Sequence, residues 1–312
     1  MNRPINRIAI IGTGVIGASW AALFLAKGRK VAATDPAPGA EKALRHYVET
    51  AWPALEQLGL TPGASQSNLT FTTDLATCVA DADLVQENGP ERIDFKQNLY
   101  GQLDELLPPD VIIASSSSGL TMSTIQQGCK LHPERCVIGH PFNPPHLIPL
   151  VEIVGGSKTS EDTIERAAQF YTSIGKRTVR LHKELSGHVA NRLQAAVMRE
   201  VYYLVGEGVL SVADVDTALC WGPGLRWGIM GQVLLNHLGG GEGGMGHFTG
   251  PITAWWKALG SPELTPELRQ KLIDGVHAEV GSRSIQELAE ERDRILLGLL
   301  ALRTGPGKSN PA

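Results

Sequence analysis

Arg7-Ile8-Ala9-Ile10-Ile11-Gly12-Thr13-Gly14-Val15-Ile16-Gly17 decides the fold. Its first five residues form a short apolar run of the kind that builds a buried parallel strand. Glycines then fall at all three positions of G-x-G-x-x-G, and an apolar segment from Ala18 to Ala26, closed by Gly28, reads as a helix. Strand, glycine turn and helix in that order form a dinucleotide-binding fingerprint. Gly12 permits the tight turn, Gly14 lets a pyrophosphate approach the backbone, and Gly17 lets the helix lie close to the sheet. The helix N-terminus at Val15 and Ile16 then faces the phosphates. A second strand, Lys30 to Thr34, ends at Asp35. An acid about 20 residues beyond the fingerprint hydrogen-bonds the ribose 2′-hydroxyl and repels a 2′-phosphate. NAD is therefore the expected cofactor, ahead of NADP.

Apolar runs and helical segments alternate from this point to Glu184. The expected strands are 7–11, 30–34, 83–86, 111–114, 136–139, 150–154 and 177–181, with a helix from Asp162 to Ile174 stopped by Gly175. That alternation predicts a mainly parallel, doubly wound sheet. After residue 184 the helical period takes over, with Val189, Leu193, Val197, Val201 and Val205 on one face. Ser211 with Asp214 and Ser284 with Glu287 have capping-box spacing, and Thr265-Pro266 fits an N-cap and first turn. The expected organisation is an α/β Rossmann-type domain over residues 1–183, an all-α domain over 184–303 and a disordered tail over 304–312. No internal repeat is present.

Composition narrows the function classes. A chain of 312 residues can bury a large core, and its formal charge of −4 with no basic run argues against a nucleic-acid partner. The apolar run from Ile295 to Leu302 is too short to cross a membrane, and Met1-Asn2-Arg3-Pro4 leads directly into the first strand, so a cytoplasmic protein without a secretion signal is expected. Cysteines 78, 129, 136 and 220 show no CxxC spacing and the nine histidines no HExxH pattern. Reduced thiols and no metal are expected.

The chemistry is concentrated in Gly139-His140-Pro141-Phe142-Asn143-Pro144 and in Glu152, twelve residues after the histidine. Pro144 and Pro145 turn the chain between two apolar runs. A carboxylate inside the second run, Leu150 to Val154, is costly unless paired, and the imidazole of His140 is the nearest candidate. A histidine held by a carboxylate is a general base in the making. The alternative is a buried histidine with a chance glutamate.

These residues are together similar to the 3-hydroxyacyl-CoA dehydrogenase superfamily. The resemblance spans nearly the whole chain and rests on the glycine turn, Ser116-Ser117-Ser118-Gly119-Leu120, the His140 and Glu152 motifs, and Asn191-Arg192. Ala33 to Glu41, Gly224-Leu225-Arg226-Trp227, the stretch from Gly239 through His247-Phe248, Arg283-Ser284-Ile285 and Arg292-Asp293 resemble its L-carnitine dehydrogenase branch. Gulonate 3-dehydrogenases and lambda-crystallins are near relatives. The resemblance implies that His140 takes the proton of a 3-hydroxyl and that Glu152 orients it. Ser118 and Asn191 then hydrogen-bond the substrate, Asn143 shapes a cofactor-side loop, and Glu91 and Lys96 lie close to the cofactor. Ser116 is a further candidate substrate contact. A plain surface role is the alternative for each of these polar residues.

The serine run departs from the Asn-Thr-Ser-Ser pattern of the thioester-using enzymes. Residues 47–91 contain no Lys or Arg but hold Glu49, Glu56, Asp74, Asp81, Asp83, Glu87 and Glu91. Such a surface repels the phosphates of coenzyme A. A small free hydroxy acid fits better. Trp221, Trp227, Trp255 and Trp256, with Phe248 among them, can face a quaternary ammonium, and Arg226 can pair with a carboxylate. The same rings equally suit a core or an interface. Gly239 to Gly246 is too glycine-rich for regular structure. The expected protein is an NAD-dependent dehydrogenase of a small L-3-hydroxy acid, with L-carnitine first, and a homodimer through its helical domain. L-Gulonate, a hydroxyacyl thioester, and a catalytically idle crystallin-like or NAD-sensing protein are the alternatives.

Overall fold

The computed structural model describes residues 4–244 and 258–304. One sheet carries eight strands: β1 Arg7–Ile11, β2 Lys30–Thr34, β3 Leu69–Thr72, β4 Leu84–Glu87, β5 Ile112–Ser115, β6 Cys136–Pro141, β7 Leu150–Gly155 and β8 Arg177–Leu181. Their order is β3-β2-β1-β4-β5-β6-β7-β8. Neighbours run parallel except β6 and β7, which are antiparallel. The chain reverses direction across the sheet between β1 and β4. Ligands of open α/β sheets bind in the crevice at the carboxyl ends of such strands.

β3 has no counterpart among the expected strands. It is four residues long and only Leu69 is buried, so its apolar signal is weak. β4 and β5 each run one residue beyond the expected end, which brings Glu87 and Ser115 onto the carboxyl edge. Helices α1 (Val15–Ala26), α2 (Ala40–Leu58), α3 (Leu75–Val79), α4 (Ile93–Leu106), α5 (Met122–Ile125) and α6 (Glu161–Ser173) cover the sheet. One core layer holds Trp20, Phe24, Phe170 and Tyr171, and the other Leu99, Tyr100, Leu103 and Ile125. A sheet covered on both faces buries its central strands, and β4 and β6 are buried at every residue and β1 at all but Arg7.

Two compact units adjoin between Asn191 and Arg192. The described part of the second is helical, with most of α7 (Ala190–Gly206), then α8 (Val212–Trp221), α9 (Pro223–Trp227), α10 (Gln232–Gly239), α11 (Pro266–Val280) and α12 (Ile285–Thr304). Ser211 and Thr265 cap α8 and α11 through their hydroxyls, and Ser284 and Glu287 exchange hydrogen bonds at the start of α12. Three expectations change. The stripe on α7 buries only Val205, and Leu193 is 65% exposed. Gly239 closes α10 and Gly241–Gly243 form a single 3-10 turn, so the glycine stretch does hold regular structure. Thr304 belongs to α12, and the remainder of the expected tail lies outside the described residues. No described helix is long and apolar enough to cross a membrane.

Candidate active site

The glycine turn meets the demands of a dinucleotide. Gly12 has φ of 82°, and a Cβ there would lie 2.8 Å from the Asn88 carbonyl oxygen. A Cβ on Gly17 would overlap the Gly12 carbonyl, whereas nothing lies within 4 Å of one on Gly14. Gly14 caps α1 without a side-chain hydrogen bond, so the first-turn N–H groups keep their capacity for a phosphate. Asp35 follows β2. Its Oδ2 accepts from the Thr13 N–H (2.8 Å) and hydroxyl (3.2 Å), and its Oδ1 from the Ala37 N–H (2.9 Å). A carboxylate offers about four acceptor positions. One is left for a ribose hydroxyl, and these residues fit the cofactor.

His140 and Glu152 are register partners across the antiparallel β6–β7 ladder. His140 Nδ1 lies 2.8 Å from Glu152 Oε2, and both side chains are buried. A carboxylate only accepts, so Nδ1 carries the proton and Nε2 presents a lone pair. Glu152 Oε1 accepts from the N–H groups of Val189 (2.8 Å) and Ala190 (2.9 Å). Burial works to raise the Glu152 carboxyl. The hydrogen bonds from His140, Ala190 and Val189, with a smaller electrostatic pull of the imidazole, outweigh it and hold the group below the usual carboxylate range.

A second polar cluster supports the serine loop. Lys96, buried on α4, donates to both oxygens of buried Glu87 at 2.7 and 2.8 Å. Ser115 donates to Glu87 Oε2 (2.6 Å). Glu91 Oε1 accepts from the Ser117 hydroxyl (2.6 Å) and from the N–H groups of Gly119 (2.7 Å) and Leu120 (3.1 Å), while Lys96 lies 3.8 Å from its other oxygen. Burial raises the Glu91 carboxyl, but these donors together keep it below its ordinary value. Lys96 therefore lies beneath the loop, neither in solvent nor unpaired. Ser116 is engaged in the scaffold: its hydroxyl receives the Trp20 indole and the Gln86 amide and donates to Asn88. The side chains of Ser118 and Asn191 form no hydrogen bond with the described residues, and both residues are half-buried. Asn143 is exposed on the turn after His140.

Lys176 braces that turn from below. Its buried ammonium donates to the carbonyls of Pro145 and Ile148 and sits 5.0 Å over the Trp20 ring. Burial, and secondly the charge of Lys27, push it down to about 7. Neither Lys176 nor Glu87 stands out in the sequence, because a lone charge beside an apolar run looks like a solvated end. His188 was equally inconspicuous. Its ring is 5.0 Å from that of His140.

Arg226 and Trp227 lie on α9 and Trp221 ends α8, all within the second unit. Trp221 is 77% and Trp227 40% exposed, so neither is core there. Trp227 donates to Gln232. Phe248, Trp255 and Trp256 fall outside the described residues. Among the described residues no cluster of side chains is suited to a metal.

Comparison with known proteins agrees with this geometry. Residues 7–185 match the NAD binding domain of 3-hydroxyacyl-CoA dehydrogenase, and residues 187–290 match its C-terminal domain. The chain is 48% identical over 309 residues to an L-carnitine dehydrogenase of a Pseudomonas species, covering 97% of this chain and 96% of the relative. It is 46% identical over 302 residues to one from Bacillus cereus, covering 96% and 92%. Among solved structures it resembles 5-formyl-3-hydroxy-2-methylpyridine 4-carboxylic acid 5-dehydrogenase, an NAD+ dependent dismutase, with a TM-score of 0.83, 31% identity and coverage of 97% and 99%. The chain belongs to the 3-hydroxyacyl-CoA dehydrogenase family and is an NAD-dependent oxidoreductase acting on CH–OH groups.

Proposed function

We propose that the protein oxidises the 3-hydroxyl of L-carnitine to the 3-keto acid. The observation that carries the reading is the buried His140–Glu152 pair, with its free Nε2, in a chain so similar over its length to L-carnitine dehydrogenases. NAD, when bound, supplies the hydride acceptor. His140 Nε2 takes the hydroxyl proton, and Glu152 fixes the ring and stabilises its cation. Ser118 and Asn191 hydrogen-bond the substrate oxygen, and their uncommitted side chains support that role. Gly12, Gly14, Val15, Ile16 and Gly17 hold the pyrophosphate, Asp35 the ribose, and Glu91 and Asn143 border the cofactor, with Lys96 securing Glu91. Arg226 takes the substrate carboxylate, and the rings of Trp221, Trp227, Phe248, Trp255 and Trp256 supply the surface for its trimethylammonium group.

The exposed apolar residues of the helical unit support a homodimer through that unit. The acidic, Lys- and Arg-free segment 47–91 favours a free acid over a thioester. The deciding experiment is NADH formation by the purified protein with L-carnitine, L-gulonate, L-3-hydroxybutyrate and 3-hydroxybutyryl-CoA at equal concentration. L-Carnitine should have the highest specificity constant. A higher value for any of the others overturns the assignment.

A further inference from the structure

His188 carries two costs that packing alone does not explain. Its φ is 47°, and no other described non-glycine residue has a positive φ. A side chain is strained in that left-handed region, which glycine adopts freely. The ring is 2% exposed, yet its Nδ1 has no hydrogen-bond partner among the described residues. A buried polar atom without a partner is destabilising, and an apolar ring would fill the same space without one. Strain that the surroundings impose at one residue points to a function.

Histidine contributes one donor in return. Nε2 lies 2.9 Å from the Ser117 carbonyl oxygen, which only accepts, so Nε2 carries a proton. That carbonyl shares a planar peptide with the N–H of Ser118, so the bond fixes the plane from which the Ser118 side chain projects. The backbone beyond His188 is committed elsewhere. The N–H groups of Val189 and Ala190 are held by Glu152 Oε1, while Glu152 Oε2 orients His140. The His188 ring lies 5.0 Å from that of His140, tilted by 50°. One residue therefore joins the loop that carries Ser118 to the pair that carries the base. Ser186 adds only an exposed tie, to the Gly119 carbonyl at 3.1 Å. Burial, the largest influence, keeps His188 below the ordinary histidine value against the Ser117 hydrogen bond, and the charge of His140 adds to this. His188 therefore stays neutral beside a base that must become a cation.

We propose that His188 is a positioning residue of the oxidation: by fixing the Ser117–Ser118 peptide it places the Ser118 hydroxyl and His140 Nε2 where both meet one substrate oxygen. The role rests on reading His140 as the base and Ser118 as a substrate contact. His188 itself touches neither substrate nor cofactor. A base and a hydrogen-bonding hydroxyl must address the same oxygen in the transition state, and a misplacement of about 1 Å between such groups can cost roughly 10²-fold in rate.

Two variants remove the donor and keep the fold by different means. His188→Asn tolerates a left-handed φ, and its amide ends near the place of Nδ1, short of the Ser117 carbonyl. His188→Phe keeps a ring of similar size. Each should lower kcat for the best substrate of the panel about tenfold, with KM for NAD and the melting temperature little changed. His188→Gln, whose amide can donate from the place of Nε2, should recover most of the loss. In a Ser118→Ala background the same replacements should cost less than about twofold more, because the group they misplace is gone, whereas a purely structural role makes the losses multiply. Wild-type kcat in either donor-less variant, no recovery in His188→Gln, or losses that multiply with Ser118→Ala each overturns the inference. Undiminished turnover in His140→Ala or Ser118→Ala instead removes the reading on which the role rests.

Discussion

His140 and Glu152 face each other across the one antiparallel pairing in the sheet, so the ladder sets their separation. Side chains of direct cross-strand partners lie about 5 Å apart at Cβ, which suits an imidazole and a carboxylate without further adjustment. His140→Ala should lower turnover by about 10² or more, the usual contribution of a positioned base. NAD affinity, measured by fluorescence titration, should hardly change. Glu152→Gln should lower the rate while keeping the fold. Because Glu152 is held below the ordinary carboxylate range, it stays charged in mild acid. Its contribution to stability is present above the unfolded-state pKa and is lost only as pH falls through the lower folded value. Acid unfolding of Glu152→Gln should therefore lack that step.

Asp35 should give NAD a preference over NADP of roughly 2 kcal/mol, since a 2′-phosphate loses a hydrogen bond and meets a carboxylate. Specificity constants with the two cofactors measure it. Asp35→Ala should narrow the gap and, because Asp35 also binds Thr13, should weaken NAD itself.

Free hydroxy acids should be oxidised with higher specificity constants than their coenzyme A thioesters, because residues 47–91 contain no Lys or Arg and expose Glu49, Glu56, Asp74 and Asp81, although Asp83 and Glu87 are buried. Parallel assays with L-3-hydroxybutyrate and its thioester test this without reference to carnitine.

L-Carnitine should exceed L-3-hydroxybutyrate, which lacks the trimethylammonium group, by about tenfold, within reach of one or two desolvated cation–π contacts. Trp227→Ala should erase much of that margin and leave turnover of the neutral acid largely intact. A loss shared equally by both substrates would move Trp227 to a packing role.

Lys176 should make stability depend on pH on the alkaline side. Its folded value is about 7 against 10.5 in the unfolded chain. The unfolded state binds more protons between those values, so this group's contribution makes stability rise with pH across that window. Denaturant unfolding at several pH values should show a slope that disappears in Lys176→Met. That variant should also turn over more slowly, because methionine cannot hold the Pro145 and Ile148 carbonyls beneath the His140 turn.

Much of this was legible in the residues. Glycine spacing with Asp35, and the His140 and Glu152 pair inside apolar runs, are local patterns with a local physical reason. β3 escaped because an edge strand with one buried residue carries little hydropathic signal. Glu87, Lys176 and His188 escaped for another reason, and Lys96 was found only through the family resemblance. A buried charge or imidazole is identified by its partner, and those partners are contributed by other elements of the fold. The stripe on α7 was legible as a pattern, but a helical period does not say which of its residues another element covers, and Leu193 is 65% exposed.

Ser116 joins the Trp20 indole, the Gln86 amide and the Asn88 side chain, Gln86 also receives the Tyr171 hydroxyl, and Asn88 reaches the Ile11 carbonyl just before the glycine turn. An apolar replacement at any one of these positions strands a buried donor or acceptor at the next. Evolutionary drift at the heart of this sheet must then be concerted. Homologues should vary here as a block, and a designer who wishes to recut this part of the sheet has five side chains to move at once.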